Sequence, residues 1–156
     1  MKYTLILIAL SASAFAADFT LAIGNPVAAS FPGTENSPNQ VRKVKDAAFA
    51  VRTENCADPA NALITATAEG LVNGERQSTA LRLIPGGPGV YLIPGVPGGK
   101  GVWVVRLIGS CHDAKAGAVV PIGPSGFIRE SSKFFPRFAT EGDIVASLKS
   151  LAGGAK

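Results

Sequence analysis

The sequence predicts an all-β fold, an antiparallel sandwich of about seven strands followed by a short C-terminal helix. Three observations lead to this prediction. Short apolar stretches recur along the chain, and turn-forming residues separate them, in a sequence that contains 18 glycines and 11 prolines. Asn73-Gly74, the strongest short signal for a β-hairpin turn, lies between two of these stretches. Near the C terminus the spacing of apolar residues changes to that of a helix.

The first 16 residues have the three parts of a secretory signal peptide. Lys2 supplies positive charge, residues 5–10 are apolar, and Ala14-Phe15-Ala16 matches the small-residue motif before a cleavage site. The apolar run is too short to cross a bilayer, which takes about 20 residues. We therefore expect a periplasmic or secreted protein that starts at Ala17, with no membrane insertion after cleavage. It should form one domain, residues 17–152, with a flexible tail at residues 153–156.

The first two strands are predicted by apolar residues at alternate positions, in residues 19–23 and 47–51. Residues 24–40, rich in proline, glycine, asparagine and serine, predict a long exposed connection between them. A short basic run precedes the second strand, and charge of this kind is typical of the exposed side of an edge strand. It consists of Arg42, Lys43 and Lys45.

A β-hairpin is predicted around Asn73-Gly74, because both residues tolerate the positive φ that a tight hairpin turn needs. Residues 63–69 form the strand before this turn, with Ile64, Ala66 and Ala68 on one face. Residues 79–83 form the returning strand.

The second half of the chain begins with a segment rich in proline and glycine, residues 85–101, which leaves room only for a short strand at residues 90–93. Residues 102–108 are apolar at almost every position except Arg106, which predicts a strand buried on both faces. The last strand candidates are residues 118–122 and 127–128.

The C-terminal segment changes to a helical pattern. Thr140 and Asp143 have the spacing of a capping box. Apolar residues then follow at helical spacing, namely Ile144, Val145, Leu148 and Leu151. This predicts a short amphipathic helix, ended by Gly153-Gly154, that covers one end of the core. Docking to a partner or a membrane is the alternative role.

Cys56 and Cys111 are the only cysteines, and in an oxidising compartment such a pair predicts a disulfide. Loop-closure entropy assigns this bridge at most about 4 kcal/mol. Free thiols are one alternative. The other is a metal site built from both cysteines with His112 and Asp113, although these residues lack the C-x-x-C or H-x-x-x-H spacing typical of zinc ligands.

The most distinctive pattern combines Pro88-Gly89 and Tyr91 with a glycine-rich stretch and Trp103. It resembles the Tyr–Trp hairpin of small immunoglobulin-like modules outside the cytoplasm, the YtkA/FixH-type domains, some of which are linked to copper handling. The resemblance covers roughly a third of the mature chain and implies an immunoglobulin-like β-sandwich. Its copper role does not carry over, because Met1 leaves with the signal peptide and His112 is the only histidine.

The composition argues against several classes of function. A net charge of +4 is too mild to indicate a nucleic-acid partner. Ser110 and Asp113 lie too close to His112 in sequence to form a catalytic triad by themselves, and the glycine-rich stretches lack the spacing of a phosphate loop. We expect no enzyme and no cofactor, but a binding or accessory module for another extracytoplasmic protein. Alternatives are a weak periplasmic metal-handling protein and a secreted enzyme inhibitor that presents a Pro/Gly loop, residues 85–89 or 94–101.

One aromatic segment is a candidate partner surface, because exposed apolar groups rimmed by charge mark interfaces. Its residues are Lys133, Phe134, Phe135, Arg137 and Phe138. Alternatively, this segment folds back and buries two of its three rings.

Overall fold

The computed structural model describes residues 18–26, 47–97 and 100–154. In order, the strands are β1 (Thr20–Gly24), β2 (Ala47–Glu54), β3 (Leu63–Val72), β4 (Glu75–Leu81), β5 (Ile84–Gly87), β6 (Val90–Pro94), β7 (Val102–Cys111), β8 (Ala114–Gly123), β9 (Gly126–Phe127) and β10 (Lys133–Phe135). Helix α1 (Glu141–Gly154) follows β10. The predicted signal peptide, the connection after residue 26 and the basic run Arg42, Lys43 and Lys45 lie outside the described residues.

The strands form two sheets, and every pairing is antiparallel. The smaller sheet has the order β1-β2-β6-β5, and the larger has the order β10-β8-β7-β3-β4, with β9 beside β8. If β4, β9 and β10 are left out of the count, this is the order of immunoglobulin domains. In that order the first, second, fifth and fourth strands form one sheet, and the third, sixth and seventh form the other. Here β4 extends the second sheet at one edge, and the short strands β9 and β10 extend it at the other. The predicted immunoglobulin-like sandwich with a short C-terminal helix is confirmed.

The number of strands differs from the predicted seven. Two of the ten described strands, β5 and β10, are absent from the prediction, whereas the candidate at residues 127–128 corresponds to β9. Strand β5 contains Pro85 within a segment predicted to be turns. It lies at the edge of the smaller sheet, where a proline is tolerated because one side of the strand makes no ladder hydrogen bonds. Strand β10 has only three residues, too few to show a period.

The main core lies between the two sheets and follows from alternation along the strands. Phe49 of β2, Ile93 of β6 and Leu107 of β7 are fully buried there. The predicted hairpin is present, since Asn73 and Gly74 have φ values of 52° and 84° and join β3 to β4.

Helix α1 lies on the outer face of the larger sheet, the face that points away from the smaller sheet. Ile144 and Leu148 pack there on Val104 of β7 and Val119 of β8, and all four side chains are buried. Burial of β7 on both faces is confirmed at Val104 and Val105, whereas Val102 and Ile108 on the outer face are half-buried. The helix forms a third layer. The prediction that it covers one end of the core is therefore wrong. The helix also continues through Gly153-Gly154, which the sequence placed in a tail.

The predicted capping box is present at the start of α1. The Asp143 carboxylate accepts hydrogen bonds from the Thr140 backbone N–H at 2.7 Å and from the Thr140 hydroxyl at 2.8 Å. The Asp143 N–H donates to Thr140 Oγ1 at 3.3 Å. Arg137 donates to the same carboxylate at 2.8 Å. The hydrogen bond from Arg137 and those from Thr140 hold the pKa of Asp143 well below its ordinary value.

We expect Asp143→Ala to lower the melting temperature by a few degrees at neutral pH, because it removes the carboxylate half of the capping box and the ion pair with Arg137. Since the pKa of Asp143 is depressed in the folded chain, its stabilisation is present above the pKa of the unfolded carboxyl, about 4, and is lost as the pH falls below it. Thermal melts at neutral and acidic pH should therefore show a difference from wild type that shrinks on acidification. Asp113→Ala, at an exposed turn, is the matched control. An equal difference at both pH values would contradict the prediction.

Candidate functional site

One end of the sandwich, which we call the tip, consists of residues 55–62, 88–89 and 112–113. These residues join β2 to β3, β5 to β6 and β7 to β8. In immunoglobulin variable domains, the connections equivalent to the first and third of these are antigen-binding loops. The fold therefore brings to one end three chain segments that are far apart in sequence.

A disulfide between Cys56 and Cys111 restricts the movement of the tip. It joins the β2–β3 connection to the end of β7, and so links the two sheets, with a Cα–Cα distance of 5.9 Å. The predicted disulfide is confirmed, and the alternatives with free thiols or cysteine-bound metal are wrong because neither residue keeps a thiolate. The bond is compatible with an oxidising, extracytoplasmic location.

Hydrogen bonds between the segments add to this constraint. The Thr53 N–H donates to the Gly89 carbonyl at 2.9 Å, and the Tyr91 hydroxyl donates to the Ala62 carbonyl at 3.2 Å. Asn55, with φ of 58°, donates through Nδ2 to the Asp18 carbonyl at 3.0 Å. The tip is therefore held in one arrangement by bonds to both sheets.

A groove of about 250 Å³ opens on the tip. Its lining residues are Asp58, Asn61, Leu63, Ser110, Cys111 and His112. The Asp58 carboxylate accepts a hydrogen bond from Asn61 Nδ2 at 2.5 Å. His112 stands exposed at the β7–β8 turn, with φ of 52°.

Ser110, His112 and Asp58 line this groove together, which raises the question of hydrolytic chemistry. A serine nucleophile needs its base within hydrogen-bond reach, and the base needs an orienting partner. In the described structure no hydrogen bond joins Ser110 to His112 or His112 to Asp58, and the carboxylate is bonded to Asn61. No three His, Cys, Asp or Glu residues of the described ranges group as metal ligands. Among the described residues, the groove therefore presents polar groups without the hydrogen bonds that a catalytic triad requires.

Leu63 is the most exposed large apolar side chain of the described residues, at 71%. It is the first residue of β3, opposite Ser110 of β7, and its side chain lies on the outer face of the larger sheet. The sequence predicts a strand at Leu63 but assigns this residue no role in binding. The observation that could have identified it is its place in the alternating pattern, which puts this leucine on the polar face of β3 with Thr65 and Thr67.

The aromatic segment proposed from sequence does not form one surface. Successive residues of β10 point to opposite faces of the sheet, so Phe134 and Phe135 separate. Phe135 packs beside α1, and the Arg137 guanidinium lies 4.7 Å from its ring centre. Phe134 is 48% exposed, and Lys133 is also exposed.

The third ring of this segment is half-buried. The ammonium group of Lys115 lies 5.2 Å from the ring centre of Phe138, a cation–π contact. Phe135 and Phe138 are thus partly covered, and each has a cation above its ring. Of the three rings, Phe134 is the one exposed to solvent.

Of the two Pro/Gly loops considered for an inhibitor, residues 85–89 do not form an open loop, and residues 94–101 lie only partly within the described ranges. Residues 85–89 form strand β5 and its tight turn, in which Gly89 is buried against the rest of the tip. Residues 94–101 begin at the end of β6, and Gly98 and Gly99 lie outside the described residues.

None of the helices in the described ranges has the length and apolar character that a membrane span requires. No protein family, no curated protein and no solved structure was found to match this chain.

Proposed function

We propose that this protein is an exported, non-catalytic binding module that engages another extracytoplasmic protein through the groove at its tip, which Leu63 lines. The observation that carries the proposal is the exposure of Leu63. Complete burial of a leucine side chain stabilises a structure by about 1.5–3 kcal/mol, and the fold of this chain leaves Leu63 largely exposed. A partner that covers Leu63 would gain it.

The surroundings of Leu63 support the same proposal. Asp58, Asn61, Ser110 and His112 border it in the groove. Apolar surface surrounded by polar groups is the usual composition of a protein–protein interface. The disulfide and the hydrogen bonds of the tip reduce the ordering that binding would require, and preorganisation of this kind increases affinity.

Export is the second part of the proposal. It rests on the signal-peptide pattern that ends at Ala16 and on the Cys56–Cys111 disulfide, a bond that persists in oxidising compartments and is rare in the cytosol.

The test is site-specific photocrosslinking in cells that export the protein, with benzoylphenylalanine at position 63. We expect one adduct of discrete mass after irradiation, on a chain that starts at Ala17 by intact mass. The matched control carries the same residue in place of Lys149, an exposed position on α1, and should give no adduct. A second probe at position 112 should crosslink in the wild-type background and lose its adduct when combined with Leu63→Asp.

Two results would overturn the proposal. Equal adducts from positions 63 and 149, or none from position 63, would remove the tip as a binding surface. A chain that keeps Met1 and remains in the cytoplasm would overturn export.

A further inference from the structure

The edge strand β4 is the longest open edge in the described structure. It pairs with β3 on one side, without a shift in register from Val72–Glu75 to Ala66–Leu81, and has no strand on its other side within the described ranges. Residues 75–80 are exposed on both faces. Edge strands are usually protected by proline, a bulge, lysine or a covering segment, and residues 77–81 have none of the first three.

The turn before β4 determines which of its backbone groups are free. In a two-residue hairpin the flanking residues, here Val72 and Glu75, form a hydrogen-bonded pair, and such pairs alternate along the ladder. The N–H and C=O groups of Arg76, Ser78 and Ala80 therefore point away from β3. Three donors and three acceptors stand in a row along the open edge.

We propose that two copies of this chain dimerise by antiparallel pairing of their β4 strands around a two-fold axis through Ser78. Ser78 is the middle residue of the seven-residue strand, so this register pairs it with itself, Arg76 with Ala80 and Glu75 with Leu81. Every outward N–H then meets an outward C=O, because the symmetry pairs only residues of the same outward set. The two larger sheets become one continuous sheet.

Charge is compatible with this register. No two like charges lie opposite each other across the axis, an arrangement that would destabilise the pair. The Arg76 guanidinium is bound to Glu69 at 3.2 Å and to Glu141 at 2.9 Å, on the face that carries α1. Its charge is thus neutralised within its own chain and does not repel the second copy.

A second copy fits this edge better than an unrelated extended peptide does. Peptides that add a strand to a sheet gain specificity from pockets beside the edge that take alternate side chains. Both faces of β4 are exposed, so no such pockets flank it. A second β4 supplies a matching regular strand. Since strand pairing alone buries little area, we expect a concentration-dependent dimer and not an obligate one.

The two-fold axis would direct the two tips to opposite ends of the joined sheet, because the paired strands run in opposite directions. If the tip binds a partner, as proposed above, the dimer could join two partners and gain avidity. The dimer itself does not rest on that function, and its test uses no partner.

The first test is sedimentation of the mature chain over a concentration series. We expect wild type to shift from monomer to dimer. Ser78→Pro should raise the dissociation constant at least tenfold with little change in the thermal melt, because it removes an outward N–H and leaves the ladder to β3 intact. Ser78→Thr keeps that N–H and should dimerise as wild type does. A wild type that stays monomeric, or a dimer that persists in Ser78→Pro, would overturn the proposal.

The second test fixes the register. Directly opposite residues of a hydrogen-bonded pair have Cα atoms about 5.5 Å apart, within the range that a disulfide spans. Ser78→Cys should therefore give a covalent dimer on oxidation, seen on a non-reducing gel. Ala80→Cys is the matched control and should stay uncrosslinked, because in this register it faces Arg76. Comparable crosslinking of both variants would contradict the two-fold pairing.

Discussion

Replacing Cys56 and Cys111 together by alanine is expected to lower the free energy of unfolding by up to about 4 kcal/mol and the melting temperature by up to about 10–15 °C. The two residues are 55 apart in sequence, so the bridge closes a long loop in the unfolded chain. Removing it increases the entropy of the unfolded chain. For a domain of this size the loss is a large fraction of the total stability.

The effect should not be confined to global stability, because the bridge lies at the tip. It joins the β2–β3 connection to the end of β7, and the same connection leads directly into Leu63. Without the bond, the two sides of the groove are held only by the tip hydrogen bonds. We therefore expect the double variant to lose photocrosslinking from position 63 even at temperatures at which it is still folded.

Urea denaturation followed by circular dichroism measures the stability change directly. Both cysteines are replaced together so that no single thiol is left to form intermolecular disulfides. Wild type that has been reduced and alkylated while unfolded, then refolded, provides an independent control and should show a similar loss. Wild-type protein that keeps its denaturation midpoint after complete reduction would contradict the prediction.

The elements that the sequence predicted well are those with a strong local cause. Strand β7 was predicted to be buried on both faces because Val104 and Val105 are both apolar, and they pack against α1 and the smaller sheet respectively. The turn at Asn73-Gly74 was predicted because few residues adopt positive φ, and both do so here. The capping box depends only on Thr140 and Asp143, which are three residues apart.

The elements that the sequence did not predict depend on contacts between distant residues. Pro85 argues against a strand by itself, and only its position at the sheet edge allows β5 to form. The apolar face of α1 is visible in the sequence, but the layer that it covers is decided by Val104 and Val119 on the outside of the larger sheet. Such a choice cannot be made from the helix alone.

The candidate site was predicted only in part for the same reason. The disulfide followed from the cysteine count and the compartment. The groove needs residues from the β2–β3 connection and from the β7–β8 turn, such as Asp58 and His112, which no local pattern brings together. The aromatic segment looked like one patch because Phe134 and Phe135 are adjacent in sequence, and the strand at that point sends them to opposite faces.

A substitution at Gly117 is expected to weaken the packing of α1 on the larger sheet. A Cβ at this position of β8 would lie 2.6 Å from the Arg137 carbonyl oxygen and 2.7 Å from the Ala139 nitrogen. Both are backbone atoms of the segment that leads into α1, so neither can move aside as a flexible side chain could. We expect Gly117→Ala to lower the free energy of unfolding by about 2–3 kcal/mol, the cost of overpacking a tight contact.

Native-state hydrogen exchange would show where that free energy is lost. The amides of α1 should exchange faster in Gly117→Ala, because lifting the segment at residues 137–139 withdraws Ile144 and Leu148 from Val104 and Val119. Amides of β2 and β6, in the other sheet, should keep most of their protection. Gly95→Ala, whose Cβ would meet no atom within 4 Å, is the matched control and should leave both sets unchanged.

Since the outer face of the larger sheet has apolar residues that only α1 covers in the described structure, Gly117→Ala should also aggregate on warming before the sandwich unfolds. Uniform loss of protection in both sheets would instead mean that helix and sandwich unfold as a single unit.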